Sequence, residues 1–237
     1  MQGFKLKLLT GLALLGMIWI GPASAQPASG QHAGRAEGTQ RLAAVLSVHG
    51  VFAKPAPGSK HLGLVQPRRP LTGERTVLPV VGARAGWLRV MLPGRPNGHM
   101  GWIRSQGTQP RVTEWRLVVD TSTRRVVVYR WNAVIRIFKA IVGKPSTPTP
   151  HGKFFVEESI KLQPTDVGAP FALALSVRST VFKEFDGGPG QIGLHGLDNV
   201  GGVLGTAVSH GCVRLADSAM RWLVGRIGPG VPVTITR

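Results

Sequence analysis

The sequence predicts a mainly β protein, two β domains in series with one helix near the C-terminus. Three observations carry that expectation. Short β-branched-rich runs between Pro- and Gly-bearing turns recur from Arg41 to about Thr108, and a second set of Val- and Ile-rich runs begins at Trp115. A single stretch, residues 217–227, has its apolar side chains at helical spacing.

At the start of the chain, Lys5 and Lys7 precede an apolar run at residues 8–20 that ends at Ala23-Ser24-Ala25. This is the three-part pattern of a secretory signal peptide, with cleavage expected after Ala25. The run falls short of the ~20 apolar residues a membrane helix needs. Residues 1–25 are therefore read as a removed leader, with no stable membrane span and with export to the periplasm or cell wall. The formal charge of +18 would suit nucleic acid, but an exported chain meets anionic wall polymers instead, and the same charge also serves solubility.

Residues 26–40 hold no large apolar side chain and read as a flexible linker. In residues 41–112 the apolar clusters at 42–48, 77–81, 87–92 and 100–103 are the expected strands. Asn97-Gly98 supplies the positive φ that a hairpin between the last two requires. The strand-Gly-Trp-strand pattern at Met100-Gly101-Trp102-Ile103 resembles bacterial SH3-like wall-binding modules. That resemblance implies a small SH3-like β-barrel; a purely structural barrel is the other reading.

Residues 113–237 form the second expected domain. Runs at 115–120, 125–129 and 134–138, parted by short polar turns, suit a three-stranded meander, and 152–156, 171–177 and 231–235 add strands. Met220, Leu223, Val224 and Ile227 fall at i, i+3, i+4 and i+7, so a helix is expected over 217–227, with Asp217 or Ser218 as its N-cap.

Cys212 is the sole cysteine. In an oxidising compartment cysteines usually pair, so a lone one points to a reactive thiol, an intermolecular bridge or an inert buried group. Its surroundings favour reactivity. Leu194-His195-Gly196 lies upstream, and Ser209-His210-Gly211-Cys212-Val213-Arg214-Leu215 surrounds the thiol, with thirteen residues from Gly196 through Val208. A thiol needs a base near neutral pH, and histidine is the side chain whose pKa suits that task. His195 and His210 are the two candidates. A glycine beside the nucleophile lets substrate approach and lets backbone N–H groups face an oxyanion, so Gly211 and Cys212 are the expected donors. A structural zinc site would need three or four ligands, and no second cysteine exists to complete a Cys2His2 set. His32, His49, His61, His99 and His151 carry no comparable pattern.

These motifs resemble the active-site signature of the L,D-transpeptidases, whose catalytic domain is of the YkuD type. Upstream, Val142-Gly143-Lys144-Pro145-Ser146-Thr147-Pro148-Thr149-Pro150-His151-Gly152 is similar to that family's Gly-x-Pro-x-x-x-Thr-Pro-x-Gly segment, with Gly143, Pro145, Thr149, Pro150 and Gly152 in matching places. The resemblance covers about residues 115–236. The thirteen-residue spacer is slightly short for the family pattern.

The resemblance implies a β-sandwich-like catalytic domain acting on peptidoglycan stem peptides without metal or cofactor. It implies Cys212 as nucleophile and His195 as base, with the Gly196 carbonyl orienting the imidazole. It further implies Gly211 and Cys212 N–H groups as the oxyanion hole, and Ser209, His210 and Arg214 as supporting or substrate-binding residues. Arg214 stands where many members carry asparagine. The acceptor stays open among a second stem peptide, a protein lysine and water, and a non-enzymatic wall-binding adaptor is the alternative from another class.

Overall fold

The computed structural model describes residues 38–185 and 187–237. The expected signal peptide, residues 1–25, and nearly all of the expected linker lie outside them. Residues 40–113 form an antiparallel sheet of β1 (Gln40–Val45), β2 (His49–Phe52), β3 (His61–Val65), β4 (Val77–Arg84), β5 (Trp87–Met91), β6 (Met100–Arg104) and β7 (Thr108–Thr113). Their spatial order is β3-β2-β6-β5-β4-β1-β7. The turn between β5 and β6 holds Gly94 and Gly98 at φ +92° and +75°, the left-handed region that glycine tolerates.

The rest of the chain supplies β8 (Trp115–Asp120), β9 (Arg125–Arg130), β10 (Ala133–Lys139), β11 (Val142–Gly143), β12 (Gly152–Lys161), β13 (Phe171–Arg178), β14 (Gln191–His195), β15 (Ala207–Ser209) and β16 (Val213–Arg214), then α1 (Asp217–Val224) and β17 (Pro232–Thr236). Eight of these strands form one mixed sheet in the order β10-β9-β8-β17-β12-β13-β14-β16, and β11 pairs separately with β15. The expected meander β8-β9-β10 is antiparallel throughout, with Leu117 opposite Val128 and Val127 opposite Ile137. The last strand, β17, lies mid-sheet between β8 and β12, running parallel to β8. Its alternation buries Val233 and Ile235 in the core beneath α1, alongside Leu117, Val119, Phe154, Leu173 and Leu194.

The helix departs from expectation at both ends. It stops at Val224, with Gly225 as C-cap, while the N–H groups of Arg226 and Ile227 still reach the Leu223 carbonyl. Its N-cap is Ala216, without a side-chain bond. Neither Asp217 nor Ser218 caps it, because the Asp217 carboxylate instead accepts the Leu197 N–H at 2.7 Å. The helix buries Ala219, Met220 and Leu223 against the sheet.

Strand β12 runs five residues past its expected end at Val156 because it faces two cores. Phe154 and Val156 belong to the core of the eight-stranded sheet, whereas Phe155 joins Ala43, Val45, Leu78, Val90 and Ile103 in the core of the first sheet. With successive side chains pointing to opposite faces, such a strand reads as a continuous apolar run. Glu157 and Glu158 then look like its terminus, yet both are buried and paired. Glu157 bonds Arg69 and, at 2.8 Å, Arg178, while Glu158 accepts the Thr72 N–H and hydroxyl at 3.1 and 2.9 Å. No helix among the described residues is long and apolar enough to cross a membrane.

Candidate active site

The site is built where β14 and β16 pair in parallel, with Leu194 opposite Val213 and His195 opposite Arg214. Leu194 and Val213 are fully buried. Because strand side chains alternate, that burial turns His195 and Arg214 to the other face, away from the core, with Cys212 immediately before β16.

His195 is held from several sides. Its Nδ1 lies 2.9 Å from the Gly196 carbonyl oxygen. A carbonyl only accepts, so Nδ1 carries the proton and Nε2 is left with its lone pair. Gly196 is boxed in, since an added Cβ would sit 2.0 Å from the Ala169 carbonyl oxygen and 2.5 Å from Asp217 Oδ1. Beneath the ring, Gly168 has φ +84°, and a Cβ there would lie 2.3 Å from Nδ1. The Gly168 carbonyl accepts the Gly196 N–H at 2.8 Å. Gly168 and Asp217 thus help fix the setting of the His195 imidazole, and no motif marked either of them for that role.

Burial dominates the electrostatics. It holds the His195 imidazole below its ordinary pKa, with the Arg214 charge acting in the same direction and the Gly196 carbonyl opposing. Burial also pushes the half-buried Cys212 thiol up, against a Gly193 backbone N–H and the Arg214 charge, which both favour thiolate. Both shifts favour the uncharged form of the group concerned.

The Cys212 loop is fastened by its own serine and by the upstream proline-rich segment. The buried Ser209 hydroxyl donates to the Cys212 carbonyl at 2.6 Å and accepts the Gly211 N–H at 3.1 Å. This departs from the expectation for Gly211, whose N–H is engaged by Ser209 rather than turned outward. Gly211 itself has φ +122°, and a Cβ would lie 2.9 Å from Ile192 Cδ1. From the other segment, Thr149 donates to the Gly211 carbonyl at 2.8 Å and Thr147 to the Ser209 carbonyl at 3.1 Å. Thr149 Oγ1 also accepts the Gly143 N–H at 2.9 Å, and a Cβ on Gly143 would lie 2.4 Å from the Thr147 carbonyl oxygen. The two sequence motifs are one structural unit, with the first holding the backbone of the second.

The remaining expected residues occupy distinct places. His210 is exposed, its ring 6.1 Å from that of Phe182 and 6.0 Å from that of Phe185. Arg214 exchanges backbone hydrogen bonds with Ile141 and donates through Nη1 to the Gly201 carbonyl at 3.3 Å, while its buried Nε has no hydrogen-bond partner among the described residues. Other histidine rings have local partners: His49 the carbonyls of Ser47 and Gln106, His99 that of Pro96, and His151 the Thr121 hydroxyl.

Residues 114–235 match the YkuD family model, the L,D-transpeptidase catalytic domain. A Bacillus licheniformis protein named as an L,D-transpeptidase of the YkuD type is 29% identical over 137 residues, 56% of this chain and 70% of its own length. L,D-transpeptidase 1 of Mycobacterium tuberculosis is 22% identical over 228 residues, 72% of this chain and 88% of its own. A solved L,D-transpeptidase from Mycobacterium smegmatis covers 64% of this chain and 90% of its own at 20% identity, with a TM-score of 0.40. The family match spans just over half of the chain, which belongs to the YkuD family of L,D-transpeptidase catalytic domains.

Proposed function

We propose that the chain is an exported peptidoglycan L,D-transpeptidase that transfers an acyl group through a thioester on Cys212. The observation that carries this reading is the fixed tautomer of His195, with Nδ1–H on the Gly196 carbonyl and Nε2 free to act as base. A nucleophile, its base and a group that orients the base form the arrangement expected of nucleophilic acyl transfer.

Cys212 Sγ attacks the carbonyl between an L-centre and the terminal D-residue of a stem peptide as its proton passes to His195 Nε2. The C–S bond forms and the carbonyl π pair moves to oxygen. The Cys212 N–H is the assigned oxyanion donor, and Gly211 joins it only by releasing Ser209. Such a donor contributes roughly 3 kcal/mol in the transition state. Collapse breaks the C–N bond, and the leaving amine of the D-residue takes the proton from Nε2. An amine of a second stem peptide then attacks the thioester, its proton passes to Nε2, and the thiolate leaves and is reprotonated. Arg214 favours the thiolate through its charge and disfavours the imidazolium.

Incubation of the full mature chain with a stem tetrapeptide, followed by mass spectrometry, tests this. Release of the terminal D-residue, and a dimer joined through the new amide, are expected. A Cys212→Ala variant that still releases the D-residue would overturn the nucleophile, and release without any dimer would make water the acceptor.

A further inference from the structure

The turn that joins β13 to β14 leads directly into the strand ending at His195. It carries Phe182 and Phe185, whose rings lie 5.5 Å apart and flank the ring of His210, two residues before the nucleophile. These three rings make an aromatic face beside the Cys212 loop. The turn has little apolar anchorage, since Val181 is 49% and Phe185 53% exposed. Hydrogen bonds must therefore set its shape, and three of them come from the other sheet.

At the tip of the β5-β6 hairpin, Arg95 donates through Nη2 to the carbonyls of Ser179 and Phe182 at 2.9 and 2.8 Å, and through Nη1 to that of Pro189 at 2.9 Å. One planar guanidinium thus ties both ends of the turn together, which a lysine ammonium on its flexible stem does less well. Beside it, Asn97 donates to the Arg178 carbonyl and accepts the Arg178 N–H, both at 2.8 Å. Gly190, at φ +65°, closes the turn where a Cβ would lie 2.3 Å from the Phe182 carbonyl oxygen.

We propose that Arg95 is a positioning residue of the active site, holding Phe182 and Phe185 against His210 so that the three rings seat the donor peptide beside Cys212. The first sheet then contributes to catalysis through its hairpin tip, and His210 contributes a packing surface. This rests on the proposed function for the identity of the donor.

The test compares full-length parent, Arg95→Ala, Arg95→Lys, the pair Phe182→Ala/Phe185→Ala, and that pair combined with Arg95→Ala. Each is assayed for D-residue release from a stem tetrapeptide, for Cys212 alkylation by iodoacetamide, and for thermal unfolding. Arg95→Ala should lower kcat/KM for the peptide by about tenfold to a hundredfold, mainly through KM, as loss of a surface that binds ground state and transition state alike does. Alkylation by the small reagent should keep the parent rate. Arg95→Lys should recover part of the loss, and adding Arg95→Ala to the Phe pair should change nothing further.

Parent-like kcat/KM in Arg95→Ala, alkylation slowed in the same proportion, or fully additive effects in the combined variant would each overturn the inference. If Arg95→Ala does not fold, Arg95→Lys takes its place in the same cycle. If the parent releases no D-residue, the proposed function fails. The Arg95 inference is then judged on carbapenem acylation of Cys212, with the same pattern across variants expected and the same outcomes overturning it.

Discussion

The Thr149 hydroxyl donates to the Gly211 carbonyl at 2.8 Å while accepting the Gly143 N–H, so one side chain joins the proline-rich segment to the backbone of the Cys212 loop. Thr149→Val keeps the shape and removes both bonds, leaving a buried carbonyl and a part-buried N–H unpaired. We expect a loss of about 1–3 kcal/mol of stability for each orphaned group and slower thiol acylation. Thr149→Ser should retain most of both. Thermal unfolding and carbapenem acylation rates check this, and a Thr149→Val variant matching the parent in both would refute it.

The two histidines should behave differently. His195 is oriented by Gly196, whereas His210 packs against Phe182 and Phe185. His195→Ala should slow acylation by roughly a thousandfold or more, and His210→Ala by clearly less. Rates measured across pH, on variants shown to be folded by circular dichroism, decide it. A parent-like His195→Ala beside an inactive His210→Ala would make His210 the base.

The pH dependence follows from the directions of the two shifts. His195, held below its ordinary value, stays a neutral base to lower pH, so the acid limb of acylation should lie below the usual histidine range near ~6.5. For stability, the unfolded state binds the His195 proton first, so this contribution is present above ~6.5 and is lost as pH falls through the folded-state value. Cys212, pushed up, does the reverse: unfolded thiol ionises first, and its contribution is lost as pH rises beyond ~8.5. Denaturant titrations of parent, His195→Ala and Cys212→Ala at several pH values read each limb. The acid limb of stability should flatten in the first variant and the alkaline limb in the second. Unchanged limbs in both variants would rule out these assignments.

Glu157 is the hinge of the contact between the sheets, its buried carboxylate shared by Arg69 and Arg178. Glu157→Ala should destabilise the chain by up to about 3–5 kcal/mol, because the buried Arg178 and part-buried Arg69 guanidinium groups lose one counter-charge and keep only that of Glu158. Unfolding midpoints of parent and variant measure it, and a variant within ~0.5 kcal/mol of the parent, the range of an ordinary surface substitution, would contradict it.

Some of this protein was legible from local pattern alone. The runs of the β8-β9-β10 meander, the apolar face of α1 and the alternation in β17 are set by neighbours two to four residues apart. The Ser-His-Gly-Cys loop and its upstream His-Gly were recognisable for the same reason, since glycine beside a thiol and a carbonyl next to an imidazole are features of a few consecutive residues. Other features were decided only when distant segments met. Glu157 reads as the end of a strand until Arg69 and Arg178 are beside it. Asp217 reads as a helix cap until the Leu197 N–H lies closer to its carboxylate, and Gly211 reads as an open oxyanion donor until Ser209 takes its N–H. Arg95 gives no sign that it serves β14, because its carbonyl partners lie more than 80 residues away along the chain. Side-chain chemistry and backbone period act over one or two turns of chain, whereas a buried charge or an exposed turn takes its partners from wherever the folded sheets bring them.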